Sequence, residues 1–551
     1  MKQICKHLTR TALYMATLFL LLAPFPVLGE TPLMWGDLEP GEYSVGFKTI
    51  EVYDHSRTFH QKRDSHGQPY DGSRARPIQI CLWYPAQAEP GAEPVVYSEY
   101  AFPTPEDFSF FELVSRFQMR EIYGRLFPLF RNNYDAVMDA LKLNLMAVRD
   151  AAPATGPYPL LVYHPDLDAN YCENVVLFEY LASHGLTVMT TRNMGRYLNY
   201  VEADQIDIET LLRDREFALD YLRENTELDF DRIGVIGHAG GSVPAVLMSL
   251  RYTDIDAVAI LQGWNKNGLL DTLLHDNIYF DRQALRKPML IIRGQLGDTL
   301  FAPDLESPAP ADRRLVAFDS LERHDLTHYG QMLAMIPDTS TAAAEAPAEA
   351  AYETICRLLS VFFKAHLAAG PTDPAPFRAL IAELSEKNRS MTTTFKAGID
   401  APPLEADFVN IILDEGPGRG REIYDKYKGD SLLPPFFRAS SISSIAYIFM
   451  TDNRMHDAIA VLQIGIEAHP DSLQPRIDIS QCYMYVGDVP NAIGALETVR
   501  DMMAIDTTLT EARRRRLTAY IDGSLGRLQS QAQPEETEPD TTADDDEENQ
   551  P

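Results

Sequence analysis

The sequence predicts an α/β domain built on a mostly parallel sheet, followed by an all-helical domain. Two observations lead to this prediction. From residue 158 to residue 368, short apolar segments alternate with amphipathic ones, which is typical of a parallel sheet with helices on both faces. Between residues 440 and 506, small and apolar residues recur every 34 positions, the spacing of a helical repeat. At 551 residues with 45% hydrophobic content, the chain can form two or three domains with full cores.

The first 29 residues predict a signal peptide. Three basic residues precede an apolar stretch over 13–28, and Gly29 is a small residue at the expected cleavage position. An uncleaved membrane anchor is the alternative, which Pro24 and Pro26 disfavour because they cut the helix short of a bilayer span. We therefore expect a secreted or periplasmic protein without a stable membrane span.

The charge excludes two classes of partner. A net charge of −31 repels both nucleic acid phosphates and anionic lipid surfaces. Residues 529–551 hold nine of the carboxylates and almost no apolar side chain, so they predict a disordered acidic tail. Four cysteines follow the leader at spacings that match no metal motif, and they are either buried thiols or include one disulfide. No cofactor is expected.

The secondary-structure elements of the first domain are expected in alternation. Strands are predicted at 42–55, 77–84, Leu160–Tyr163, Thr187–Thr191, Ile233–Ile236, Ala257–Leu261, Met289–Ile292 and Leu315–Phe318. Helices are predicted at Glu173–Ser183, Asp207–Arg223, Ser242–Leu250 and Glu353–Leu367. A helical insertion is expected over 105–150, and a mobile surface loop over 337–351.

The first domain is predicted to span 30–370, because a Gly- and Pro-rich segment follows it. The second domain, 371–528, reads as mainly helical. Ala458 and Ala492 are 34 residues apart, and the surrounding pattern over about 440–506 resembles tetratricopeptide repeats. Two visible repeats are fewer than the usual minimum, so helices over 376–430 are expected to supply the remaining layer. Such repeats commonly bind protein segments.

The segment Gly237–Gly241 has the pattern of an enzyme's nucleophile turn, but it lacks the nucleophile. Its sequence is Gly-His-Ala-Gly-Gly, between the apolar strand 231–236 and the apolar helix 242–250. A sharp strand-to-helix turn needs small residues around the nucleophile because its backbone is crowded. The glycines supply this, but Ala239 stands where the attacking oxygen is required.

Four segments of the first domain occur in a recognisable order: RPIQICLWYPA at 76–86, PLLVYHPD at 159–166, LASHG at 181–185 and DRIGVIGH at 231–238. Together they resemble the secreted α/β-hydrolases, in the branch that contains the dienelactone hydrolases and the platelet-activating-factor acetylhydrolase-like esterases. The resemblance covers roughly residues 40–368. It implies an α/β-hydrolase fold and an ester-hydrolase type of site.

The resemblance implies a triad in the order nucleophile, acid, histidine. Ala239 occupies the nucleophile position, which has lost its hydroxyl. Asp298, beyond the strand 289–292, fits the acid, and an ordinary turn residue is the alternative. His324 fits the histidine that takes the nucleophile's proton, with His328 as its alternative.

The expected oxyanion hole consists of backbone N–H groups. The resemblance places one at Gly240 and the other near Asp166 or Leu167. Because backbone donors survive a side-chain change, an alanine at the nucleophile position need not remove the hole.

Three other groups are candidates for chemistry. Ser242 is an alternative nucleophile, although its position inside the following helix favours a capping role. Cys172 opens a helix, which can activate a thiol, but an inert buried thiol is the favoured interpretation. The alternation of His164, Asp166 and Asp168 is weak support for a metal site, and none is expected.

The sequence thus favours an exported pseudoenzyme that binds a small acyl or ester-like ligand, or a protein partner through its helical repeats. The alternative is an active ester hydrolase that uses Ser242 or a water activated by His324. A purely structural module is the third possibility.

Overall fold

The computed structural model describes residues 31–532, except for 60–61, 63–66, 70–71, 90, 102–123, 197–200, 264–267, 295–304, 306–308, 320, 322, 335–341, 371–372, 388–390 and 430–435. The expected signal peptide and most of the acidic tail lie outside these residues. The chain divides into two compact units, Met1–Ile399 and Asp400–Pro551.

The first unit is built on one large mixed sheet. Its strands are β1 Ser44–Thr58, β2 Ala75–Gln87, β3 Val148–Arg149, β4 Ala152–Pro153, β5 Pro159–His164, β6 Thr187–Thr191, β7 Asp229–His238, β8 Ile255–Leu261, β9 Met289–Arg293, β10 Arg313–Phe318 and β11 Met391–Lys396. They lie in the order β11-β10-β9-β8-β7-β5-β6-β2-β1-β3, with β4 beside β2. All neighbours from β6 to β10 are parallel, whereas β2 pairs antiparallel with β1 and β6.

Helices connect these strands. They are α1 Tyr97–Ala101, α2 Phe127–Leu129, α3 Tyr134–Ala140, α4 Val175–Ser183, α5 Gln205–Asn225, α6 Ser242–Arg251, α7 Leu269–His275, α8 Tyr329–Ala334, α9 Ala342–His366 and α10 Ala375–Lys387. Short 3-10 turns lie at Leu33–Trp35, Tyr171–Asn174, Ala239–Gly241, Arg282–Ala284 and Arg323–Leu326.

Alternation along the strands creates two cores, one on each face of the sheet. In β8, Ala257 and Ala259 pack into the core that holds α4 and α9, whereas Val258 and Ile260 pack into the core that holds α5 and α6. Successive side chains of a strand point to opposite faces, so an entirely apolar strand requires helices on both sides. The predicted α/β architecture, a mostly parallel sheet covered by helices and followed by a helical region, is confirmed.

The first unit extends further than the sequence predicts. Instead of ending at residue 370, it continues through α10 and β11 to Ile399. β11 pairs antiparallel with β10 and adds an edge strand. The segment 342–351, expected as a loop, belongs to α9. Its run of alanines explains this difference, because alanine has the highest helix propensity.

The second unit consists of helices within its described residues. They are α11 Glu405–Glu415, α12 Pro417–Tyr427, α13 Ala439–Thr451, α14 Met455–Ala468, α15 Leu473–Val486, α16 Val489–Ile505 and α17 Glu511–Ala532. The helices α11, α13 and α15 begin at residues 405, 439 and 473, at successive intervals of 34 residues. Ala458 and Ala492 are both fully buried between helices, as small residues at a close approach must be.

Within the described residues, no helix is long and apolar enough to cross a bilayer. The four cysteines that follow residue 30 are buried and form no disulfide with one another.

Candidate active site

The turn after β7 has the strained geometry of a nucleophile turn. β7 ends at His238, a short 3-10 turn spans Ala239–Gly241, and α6 begins at Ser242. Ala239 has a φ of +46°, in the left-handed region that alanine rarely adopts. A Cβ at Gly241 would lie 2.2 Å from the carbonyl oxygen of Pro165, so no larger residue fits there.

The two amides expected to form an oxyanion hole converge on one atom of the protein itself. Oδ1 of Asp166 accepts hydrogen bonds from the backbone N–H of Leu167 at 2.8 Å and of Gly240 at 3.0 Å. Asp166 is 5% exposed, so this carboxylate is held almost entirely inside the protein. A carboxylate oxygen therefore takes both amide donors that a substrate oxyanion would need.

A buried glutamate joins the loop of Asp166 to the turn of Ala239. Oε1 of Glu173 accepts hydrogen bonds from the Tyr163 hydroxyl at 2.9 Å and from the backbone N–H of Asp166 at 3.2 Å. It also accepts one from Nδ1 of His238 at 3.0 Å. Three donors on one oxygen fix the relative positions of β5, the loop after it and the end of β7.

The residues expected to act with Ala239 lie in different surroundings. His324 is partly exposed, and its Nε2 lies 3.4 Å from Oδ1 of the neighbouring Asp325. His328 is fully buried against the ring of Tyr97, with a centroid separation of 5.4 Å. Neither ring nitrogen of His328 has a hydrogen-bond partner within the described part of the chain, and burial lowers its pKa to about 3. Asp298 lies outside the described residues.

The other candidate groups are buried and engaged. The hydroxyl of Ser242 donates to the carbonyl oxygen of Gly237 at 3.2 Å, and this side chain has no exposed surface. Cys172 is also fully buried. The imidazole of His164 lies with Nε2 3.4 Å from the sulfur of Met248, and burial, together with the charge of Arg215, holds its pKa well below the usual range.

The carboxylates near this loop do not assemble with His164 into a metal-binding group. Asp168 pairs with Arg125 at 2.9 Å, and Asp166 accepts from the two amides described above. No set of three or more histidine, cysteine or carboxylate side chains in the described residues has the arrangement of a metal site.

Gln262 is a residue of this site that the sequence did not single out. It directly follows β8, whose Leu261 lies opposite His238 in the parallel ladder. Like Ala239, it is nearly buried and has a left-handed backbone, with a φ of +50°. Its Oε1 accepts a hydrogen bond from the Gly294 N–H at 2.7 Å. A signal was present, since a polar residue that ends a buried strand at the carboxyl edge of a parallel sheet lies where such folds place ligands.

Comparisons with solved structures give many matches, and one of them is to an esterase. The chain is similar to the ferulic acid esterase from Streptomyces cinnamoneus, with 19% sequence identity and a TM-score of 0.44. The match covers 64% of this chain and 96% of the esterase. No protein-family model matches the chain, and no curated protein matches it.

Proposed function

We propose that this chain is a non-hydrolytic protein with an esterase-like α/β-hydrolase fold. The observation that carries the proposal is the position of Asp166, whose Oδ1 accepts both the Leu167 and the Gly240 amide hydrogens. Ester hydrolysis needs such donors for the oxygen that becomes negative in the transition state. A carboxylate oxygen at that point takes up the two donors and repels the developing charge.

Two separate losses support this proposal. Ala239 has no oxygen that could attack an ester, and the hole is closed by the protein's own side chain. Displacing Asp166 would break two hydrogen bonds to a charged group, at a cost of about 1.5–3 kcal/mol each. An alanine alone would leave the hole intact, so the second loss goes beyond the absent nucleophile.

The contacts of Ser242 argue against the alternative, an active hydrolase that uses this serine as its nucleophile. Its hydroxyl is buried and donates to the Gly237 carbonyl at the end of β7, so its proton is already held by a backbone acceptor. The capping role expected for Ser242 is not seen, because Gly241 is the N-cap residue and no described side chain caps this helix. The pairing of His324 with Asp325 likewise offers a local explanation for that imidazole.

We further propose that the functional surface lies in the second unit, as a tetratricopeptide-like protein-binding scaffold on an exported protein. The three helix starts at intervals of 34 residues support this interpretation. A filled oxyanion hole favours a protein partner over a small acyl or ester ligand.

The proposal is tested by hydrolysis of a short p-nitrophenyl ester. We compare the wild type, Ala239→Ser and the double variant Ala239→Ser with Asp166→Gly. The wild type and Ala239→Ser should hydrolyse the ester no faster than buffer alone does, because Asp166 occupies the hole in both. Any turnover gained should occur only in the double variant.

Ser242→Ala serves as the matched control. It removes a hydroxyl two positions after Gly240, the residue whose N–H belongs to the expected hole. Turnover by the wild type that disappears in Ser242→Ala would establish the alternative hydrolase. Turnover by Ala239→Ser alone would show that Asp166 does not close the hole.

A further inference from the structure

A strongly basic surface lies at the start of α17, in a chain whose net charge is −31. Four consecutive arginines, Arg513–Arg516, fall in the first two turns of this helix. Arg514 is partly buried, and its guanidinium donates to the carbonyl oxygens of Met503 and Asp506 at the end of α16. Arg513, Arg515 and Arg516 are exposed. We call these three residues the arginine surface.

Within the described residues, the positive charges of the arginine surface are only partly paired with carboxylates. The N-terminal end of a helix carries partial positive charge, so cations in the first turns are unfavourable unless an anion compensates them. Arg515 pairs with Glu511 at 2.7 Å. Arg513 and Arg516 form no ion pair with any residue between 31 and 532 that the structure describes. Two of the three guanidinium groups of the surface therefore have no paired carboxylate among the described residues.

The chain's own C-terminal segment has the complementary charge. Residues 533–551 contain nine carboxylates, five of them consecutive at Asp544–Glu548. A separate anionic polymer would have to approach against the net charge of the whole molecule, whereas this segment is covalently attached to the basic helix.

The distances allow the segment to return to the arginine surface. Arg516 lies 16 residues before Ala532, which corresponds to about 24 Å along α17 at about 1.5 Å per residue. Asp544 lies 12 residues beyond Ala532, and 12 extended residues span up to about 40 Å. The run Asp544–Glu548 can therefore reach the surface with length to spare.

We propose that the arginine surface binds the chain's own acidic C-terminal segment, residues 535–548. Held in this way, the segment neutralises the N-terminal turns of α17 and excludes other polyanions from them. Because the tether keeps the segment at an effective concentration in the millimolar range, it outcompetes the same peptide added in solution.

The test measures binding of a fluorescently labelled peptide of residues 533–551 by anisotropy at low ionic strength. The full chain is compared with a chain that ends at Ala532. We expect the shortened chain to bind the peptide. The affinity of the full chain for the peptide should be lower by a factor of about ten or more. Binding to the shortened chain should fall with added salt, because exposed charges are screened.

Two variants of the shortened chain give the matched comparison. In the first, Arg513, Arg515 and Arg516 become glutamine, while Arg514 is kept because it contacts α16. The second places glutamine at three other exposed arginines of the same unit, Arg419, Arg438 and Arg454. Only the first should lose peptide binding, and far-UV circular dichroism should show both variants folded.

Three results would overturn the proposal. The shortened chain could fail to bind the peptide, or it could bind equally well without the arginine surface. Alternatively, the full chain could bind the peptide or heparin as tightly as the shortened chain does. This last result would mean that the surface is open and serves an external polyanion.

Discussion

Ala239 retains a backbone conformation that its own side chain does not favour. A left-handed φ costs a residue with a Cβ about 1–2 kcal/mol. The turn is held from both sides, since Gly241 packs directly on the Pro165 carbonyl and the Gly240 amide binds Asp166. Packing and hydrogen bonds therefore maintain the strained backbone of this turn around Ala239.

His328 should make the protein less stable in acid. The imidazole pKa is about 3 in the fold, against 6.5 in the unfolded chain. Between these values the unfolded state binds the proton, so the free energy of unfolding falls as the pH drops through this window, by up to about 1.4 kcal/mol per pH unit. His328→Leu removes this contribution and should flatten the dependence of Tm on pH between about 4 and 6.5.

His324→Leu is the matched control, because His324 is partly exposed beside Asp325. The comparison separates the loss of a buried imidazole from the general effect of replacing a histidine with leucine. Both variants retain His164, whose lowered pKa contributes in the same direction. If His328→Leu loses stability in acid as steeply as the wild type does, His328 is not buried in its neutral form.

At the scale of elements, the second unit depends on close contacts between neighbouring helices. Gly465 of α14 lies against α13, where an added Cβ would be 2.6 Å from Cγ2 of Ile442. Gly494 of α16 has no atom within 4 Å of the corresponding point. The two glycines therefore have opposite roles although both lie within helices.

We expect Gly465→Ala to destabilise the second unit by about 1–3 kcal/mol, through overpacking against Ile442. Gly494→Ala should stabilise it by up to about 1 kcal/mol, because alanine favours the helix and meets nothing. Hydrogen exchange of the α13–α16 amides in the full chain measures both effects. Equal effects of the two substitutions would show that α13 and α14 do not pack closely at Gly465.

The elements that the sequence predicted well are those with an unambiguous apolar pattern. The strand Thr187–Thr191 and the start of α6 at Ser242 have the predicted bounds. Four of the five residues of this strand are β-branched, which favours a strand, and two glycines directly precede the helix. β11 was missed because four of its six side chains are exposed, three of them threonines, so it has no apolar face to detect. This segment forms a strand because it pairs with β10, which is distant in sequence.

The sequence predicts the backbone turn of the candidate site but not the positions of the side chains around it. Small residues and a preceding apolar strand indicate the turn at Ala239, because sequence spacing determines them. The position of the Asp166 carboxylate depends on one side-chain rotamer and on a contact with Gly240 across 74 positions of the chain. Sequence spacing carries no information on such a contact.

At the scale of the whole molecule, the extent of the first unit has a direct consequence for truncation. α10 contributes Phe377, Leu380 and Leu384 to the first core, and the ring of Phe377 lies 6.0 Å from that of Phe362 in α9. β11 covers the edge of β10. A chain ending at residue 370 lacks both elements, whereas one ending at residue 399 retains them.

We therefore expect a chain of residues 31–399 to unfold cooperatively and to remain soluble. A chain of residues 31–370 should lose about 5 kcal/mol or more, because each large apolar side chain removed from a core accounts for about 1.5–3 kcal/mol. Its exposed β10 edge should also promote association, since unpaired strand edges pair with other chains. Urea unfolding and light scattering of the two chains measure these effects. Equal stability and solubility would place the boundary of the first unit at residue 370 after all, with α10 and β11 as dispensable additions.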